Sequence, residues 1–170
     1  GMSYHDRDGE NSNAAIIVTI GEEIYGNNLL DGMRFQREIE KKAFNLTKGD
    51  VPVQKFIDFK ENIETTDLGD IKPSIESAYK LSNLRGIYPA AIDKMVIQAV
   101  DYMGNRLSGF SDNDAILSGV ETRSSSPIRM LRDEENKSKD ISNLYVIGEG
   151  SGHSGGIVSS AVDGIKTAEA

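Results

Sequence analysis

Residues 144–157, Leu-Tyr-Val-Ile-Gly-Glu-Gly-Ser-Gly-His-Ser-Gly-Gly-Ile, constrain this chain more than any other stretch. They read as a short strand, an acidic residue, a glycine-rich turn and the start of a helix. Residues 144–147 form an apolar run rich in β-formers and without polar alternation, the pattern of a strand covered on both faces. Glu149 falls just past the carboxyl end of that run, where open α/β sheets bind their ligands. Glycines at 148, 150, 152, 155 and 156 permit tight turning and close approach of backbone to a ligand. Ile157, Ala161, Ile165 and Ala168, with Val158 and Val162 beside them, mark one helix face that reads as core packing, and Ser154 is the expected N-cap. The order brings a carboxylate and the N–H groups of a helix start to one place. The alternative is an ordinary strand–helix turn with a solvated carboxylate.

The rest of the chain reads as mixed α/β. Residues 1–13 are polar and suit a loop or extended entry, and 14–20 read as a strand ended by Gly21. A helix is expected over 27–46, with Leu29, Leu30, Met33, Ile39, Ala43 and Leu46 at helical spacing. Asn28 would cap it, and Gly49 would end it in a left-handed conformation. Residues 51–54 are extended, 58–74 are polar and irregular with a turn at 68–70, and 75–81 fit either a strand or a short helix. The longest helical pattern runs over 89–107, with Pro89 in the first turn and Ile92, Met95, Val96, Ala99, Val100 and Met103 as its buried stripe. Residues 115–120 and 128–131 read as two strands joined across a Ser-rich stretch, and 133–140 as a charged surface loop.

Composition excludes several classes. A net charge of −8 argues against nucleic acid or an anionic membrane as a partner. With no cysteine there is no disulfide framework, thiolate metal site or redox disulfide, so redox chemistry would need a bound cofactor. Two histidines far apart in sequence give no metal-ligand spacing. No apolar run approaches a membrane span, and the start lacks the regions of a signal peptide, so a cytoplasmic protein is expected. A hydrophobic content of 38% over 170 residues is low for a compact α/β domain and fits a chain that packs against a further segment.

The run 119–129 (Gly-Val-Glu-Thr-Arg-Ser-Ser-Ser-Pro-Ile-Arg), followed by 145–150 and 155–165, resembles the carboxyl-terminal part of a family of bacterial FAD-dependent dehydrogenases. These are flavoproteins of the two-dinucleotide-binding-domain type. The opening, 1–11, resembles an internal motif of the same family, and Pro52-Val53-Gln54 resembles the Pro-x-Gln element of its substrate domain. The resemblance spans nearly the whole chain, sharpest at the two ends and looser over 22–110. It implies a partial FAD-binding Rossmann-like domain plus an inserted substrate-side domain. Residues 1–13 would be a crossing segment, 14–110 the insertion and 111–170 the return of the FAD-binding domain. It also implies that the strand–GxGxxG–helix unit for the FAD pyrophosphate lies upstream, outside this chain. The glycines of 148–156 then belong to a second flavin-contacting element. The missing amino-terminal FAD-binding portion would be the chief partner, with a small organic substrate and NAD(P) as electron donor. Apolar surface left by the missing part would favour a homodimer.

On that resemblance, Gly148, Glu149, Gly150, Gly155, Gly156 and Ile157 are the cofactor-binding candidates. Glu149 would accept hydrogen bonds from ribityl hydroxyls, and the N–H groups at 155–157 would face the flavin N1–C2=O edge. Tyr4, His5, Arg123 and Arg129 are substrate-side candidates, with Arg7 and Glu10 beside the first two; hairpin surface charges are the alternative for the arginines. His153 and Arg123 are the weak candidates for catalysis; family members often carry a tyrosine at position 153, which favours ring packing over proton transfer. The rival functions are a non-catalytic nucleotide- or anion-binding module and an interaction domain without a ligand. With the pyrophosphate unit elsewhere, this chain alone should retain no stoichiometric FAD; a visible absorption spectrum of the purified chain checks this.

Overall fold

The computed structural model describes residues 5–169, so Tyr4 lies outside the described residues. The elements in order are α1 (Glu22–Tyr25), α2 (Asp31–Thr47), β1 (Val51–Lys55), α3 (Phe56–Glu61), β2 (Tyr79–Leu81), α4 (Ala90–Gly104), β3 (Ile116–Ser118), a 3-10 turn (Glu149–Ser151) and α5 (Ile157–Glu169). The fold is mixed α/β, with a small mixed sheet in the order β2-β1-β3. Two compact units divide the chain: 1–19 with 38–120, and 20–37 with 121–170.

The first unit is organised around β1. β1 pairs in parallel with β2 (Val51↔Tyr79, Val53↔Leu81) and antiparallel with β3 (Val53↔Ser118, Lys55↔Ile116). A proline in a central strand forfeits a ladder hydrogen bond. At Pro52 the loss is confined to the end of β3, where the Gly119 N–H donates to the Pro52 carbonyl at 3.2 Å. Val53, Phe56, Phe59, Leu84, Ile87, Ile92 and Val100 are buried and form the core. Gln54 is buried as completely as Val53. Its Oε1 accepts the Leu84 N–H at 2.8 Å, while its Nε2 donates to the Ile63 carbonyl at 2.6 Å and to Asn83 Oδ1 at 3.3 Å. Thr65 extends the network by accepting the Lys55 N–H at 2.9 Å and donating to Asp58. Residues 62–68 and 82–88, which lie outside regular elements, are thereby fixed against the strand.

The helices of this unit follow from their signals. Lys48 (φ 63°) and Gly49 (φ 106°) end α2 in left-handed conformations, with the Gly49 N–H on the Phe44 carbonyl at 3.2 Å. Pro89 caps α4. Of the stripe expected on α4, Ile92 and Val100 are buried, Val96, Ala99 and Met103 are half-buried and Met95 is exposed, while Asp93 is buried. Its carboxylate faces Arg85 Nε at 3.4 Å and the Gly86 N–H at 3.4 Å. Burial raises the Asp93 pKa, and burial with the nearby Asp93 pushes Tyr88 up to about 12.

The second unit has a thin apolar core, in which Val146 is the buried apolar side chain among the described residues. Polar contacts hold it. The Arg132 guanidinium binds Asp163 through two bonds of 2.7 and 2.9 Å and the Val146 carbonyl at 2.7 Å. Asn136 donates to Thr167 at 2.6 Å, and Ser154 shares a hydrogen bond with Ser160 at 3.0 Å. Asp163, Ser160 and Thr167 form the inward side of α5.

Several expectations are corrected. Residues 144–147 form no strand: Tyr145 makes one isolated bridge to Lys137, and Leu144, Tyr145 and Ile147 are exposed, because no neighbouring strand lies beside them among the described residues. The same lack of a partner leaves 14–20 and 128–131 outside any strand. The long helix starts at Asp31 instead of 27, because Asp31 accepts the Asn28 N–H at 2.9 Å and its Nδ2 at 2.7 Å, forming the turn before the helix. Those bonds from Asn28 lower the Asp31 pKa. Of residues 75–81 only Tyr79–Leu81 form a strand, β2, and 56–61 form the helix α3. In α5, the face expected in the core points outward, with Ile157 91% and Val158 76% exposed. Ser159, not Ser154, closes its first turn by accepting the Gly156 N–H at 3.1 Å.

Replacing Gln54 with Leu keeps the volume but strands the Leu84 N–H and the Ile63 carbonyl inside the unit. Urea unfolding should show a loss of about 2–3 kcal/mol, with the midpoint shifted and the slope unchanged.

Candidate functional site

The glycine-rich loop follows residues 144–147 and leads into α5. Gly148 (φ 75°) and Gly152 (φ 83°) take conformations that other residues adopt only with strain. Gly152 is also required by space, since a Cβ there would stand 2.5 Å from the Ile128 carbonyl oxygen. The Gly148 N–H donates to Asp163 at 2.9 Å, so the ion pair that fixes α5 also fixes the loop entry. The hydrogen bonds from Arg132, and then from Gly148, hold the Asp163 pKa down from 3.8 to about 2.

Residues 126–130 brace the other side of the loop. The Met130 N–H donates to the Ser151 carbonyl at 3.0 Å, and Ser126 Oγ lies 3.1 Å from the Gly150 carbonyl. His153 joins the two segments. Its Nε2 lies 2.7 Å from the Met130 carbonyl, which can only accept, so Nε2 carries the proton. Nδ1 then accepts from Arg129 at 3.4 Å. Both ring nitrogens are engaged by the chain itself.

These segments enclose a small cavity of about 140 Å³ lined by Ser125, Ser126, Glu149, Gly152, His153, Ser154 and Gly155. Glu149 is half-buried at this cavity, and among the described residues none pairs with its carboxylate. Gly150 and Gly155 differ from Gly152: a Cβ on either would meet nothing within 4 Å, and neither has a left-handed φ. α5 presents its first-turn N–H groups beside the cavity, with that of Gly156 taken by Ser159.

The structure thus gathers Glu149, Gly155, His153 and Arg129 in one unit. Ile157 follows directly at the head of α5, almost wholly exposed. Arg123 is exposed and outside the cavity lining. His5, Arg7 and Glu10 belong to the other unit, where Glu10 lines an open groove of about 430 Å³ with Asp8, Asn11, Lys72 and Ser74. Arg132 and Asp163, which position the loop, were not among the candidates. Asp163 carried a faint signal, an acidic residue in the middle of a helix. Among the described residues, no group of three or more His, Asp or Glu side chains gathers as a metal site, and no helix is long and apolar enough to cross a membrane.

Gly150-x-Gly152-x-x-Gly155 does spell the G-x-G-x-x-G pattern within this chain. A dinucleotide-binding unit needs a strand before that pattern. The loop has an unladdered segment before it, and its first residues form a 3-10 turn (Glu149–Ser151).

The chain is thus mixed α/β, with a glycine-rich, carboxylate-bearing loop at a helix start. The family described as "FAD-dependent protein, C-terminal domain-like" matches residues 1–124, and the chain belongs to it. The match takes in all of 22–110, so membership rests on the body of the chain, and the loop lies beyond the matched residues. The chain is also 41% identical over 172 residues to an uncharacterized protein of Clostridium beijerinckii. That alignment covers 99% of this chain and 32% of the relative, so the chain spans about a third of the relative's length.

Asp163→Asn should lower stability by about 1–2 kcal/mol at neutral pH, because the Arg132 charge loses its partner. The depressed pKa fixes the sign of the pH dependence: the pair's contribution is complete above pH 3.8 and is lost as pH falls toward about 2. Urea titrations of both proteins across that window should converge at its acidic end.

Proposed function

We propose that this chain is the carboxyl-terminal portion of an FAD-dependent oxidoreductase whose intact form passes a hydride between a nicotinamide reductant and a small organic substrate. The loop at 148–157 forms the ribityl and isoalloxazine side of the flavin site. Family membership supports FAD as the cofactor of the whole protein. The observation that carries the placement is the half-buried Glu149 carboxylate, left without a partner at a cavity beside the N-terminus of α5.

The loop fits such a group in two respects. Gly150 and Gly155 are glycines that neither backbone conformation nor internal packing demands, and close approach of a flat ligand accounts for both. A cavity of about 140 Å³ is well below the several hundred Å³ that usually hold a whole ligand, and suits a site completed by another segment. The bound flavin would supply the hydride chemistry. Glu149 accepts hydrogen bonds from ribityl hydroxyls, and the charge on the acceptor strengthens them. The N–H groups of Gly155 and Ile157, with the positive end of α5, favour negative charge at the flavin's N1–C2=O edge. Gly148 and Gly156 shape the entry and exit of the loop. His153 holds the loop to 129–130 and so acts as a positioning residue. Tyr4, His5, Arg123 and Arg129 are the substrate-side residues on this reading, and 1–13, 14–110 and 111–170 are the crossing, substrate-side and returning segments.

In the full-length protein, Glu149→Ala should lower FAD retention through desalting at least tenfold while the melting temperature of the apoprotein stays within 2 °C, a surface-type change. Gly155→Ala, whose added Cβ meets nothing within 4 Å, should lower retention in the same direction. Unchanged flavin absorbance in both variants would remove the loop from the flavin site.

A further inference from the structure

α5 is amphipathic in the reverse sense for a helix of a self-sufficient domain. Its polar residues Ser160, Asp163 and Thr167 make hydrogen bonds to the rest of their unit, at 3.0, 2.7 and 2.6 Å. Its apolar residues Ile157, Val158, Ala161, Val162 and Ile165 face outward, and no residue of the helix is buried. The bidentate Arg132–Asp163 pair fixes the rotation of the helix, so the apolar face cannot roll inward without breaking it. A continuous apolar stripe of this kind on a soluble chain marks a surface that another surface covers.

We propose that the outward face of α5 is the seam on which the remaining part of the full-length protein docks, through an apolar face of its own. This rests on the reading of the chain as the carboxyl-terminal portion of a longer FAD-dependent protein. Three observations select that occupant. The aligned region is only 32% of the Clostridium beijerinckii relative, so most of that protein lies outside it and is available to pack here. The stripe begins at Ile157, two residues after Gly155 of the cavity lining, so a surface that covers the start of the helix lies next to the cavity loop. A second copy is disfavoured by charge, since each carries −8.

Cysteine placed at Val158→Cys and, separately, Ile165→Cys in the full-length protein reports on coverage by its rate of maleimide labelling, read by peptide mass spectrometry. Labelling of the native protein at least a hundredfold slower than of the same variant unfolded in guanidinium, at a rate independent of protein concentration, is the expected result. A native rate within a few-fold of the unfolded one overturns the proposal. Protection that grows with protein concentration overturns it also, in favour of a second copy. Hydrogen exchange over residues 157–169 of the unsubstituted full-length protein gives the same decision if either variant fails to fold. FAD content is read from absorbance of the same preparations: protection without FAD retires the cofactor reading and leaves the seam, and FAD without protection does the reverse.

Discussion

One buried carboxamide organises the first unit. Gln54 sits on the central strand with its side chain wholly out of water, a position that costs several kcal/mol for a polar group without partners. Its three hydrogen bonds are directed at chain that has no ladder or helix of its own: the Leu84 N–H, the Ile63 carbonyl and the Asn83 side chain. Successive side chains of a strand point to opposite faces, so Val53 and Gln54 serve different sides of β1. The sheet is too small to fix two long irregular connections by hydrophobic burial alone. The amide does so by direction, since hydrogen bonds specify position where apolar contact specifies only proximity.

The second unit solves the same problem with less apolar material. The Arg132 guanidinium ties two carboxylate oxygens and a backbone carbonyl together in one planar fork, and the Asp163 carboxylate also takes the Gly148 N–H. The start of the glycine-rich loop and the middle of α5 are therefore tied to the same carboxylate. His153, held by Met130 and Arg129, fixes the far end. A loop positioned by charge-assisted bonds instead of by a core can leave its apolar neighbours free for another surface. Val146 inside and Ile157 outside are the two ends of that arrangement.

Much of the first unit could be read from local pattern. β1, the helix over 90–104 with its proline entry, and the left-handed end of α2 at Gly49 all follow from short-range signals. The failures share one cause. Residues 14–20 and 144–147 have strand-like composition, but a strand exists only with a neighbour to bond, and periodicity carries no information about neighbours. The apolar face of α5 was found correctly, yet periodicity identifies a face without saying whether it meets this chain or another surface. Gln54 and Asp163 were missed as organisers because their partners lie 9 to 31 residues away in sequence. Glu149 stands out in the sequence from local order alone, an acid followed by glycines and a helix start.

The glycines of the loop show why the same residue type can have two causes in one turn. Gly152 is demanded by the chain: its φ is left-handed and its missing side chain makes room for the Ile128 carbonyl. Gly150 and Gly155 are demanded by neither, although a non-glycine residue there would reduce the conformational entropy lost on folding. Neither the backbone conformation nor the packing of this chain therefore accounts for glycine at these two positions. The spacing alone, which happens to match a dinucleotide-binding pattern, does not separate these cases. The contacts do: one glycine serves the turn, and two leave open space beside a carboxylate that has no partner among the described residues.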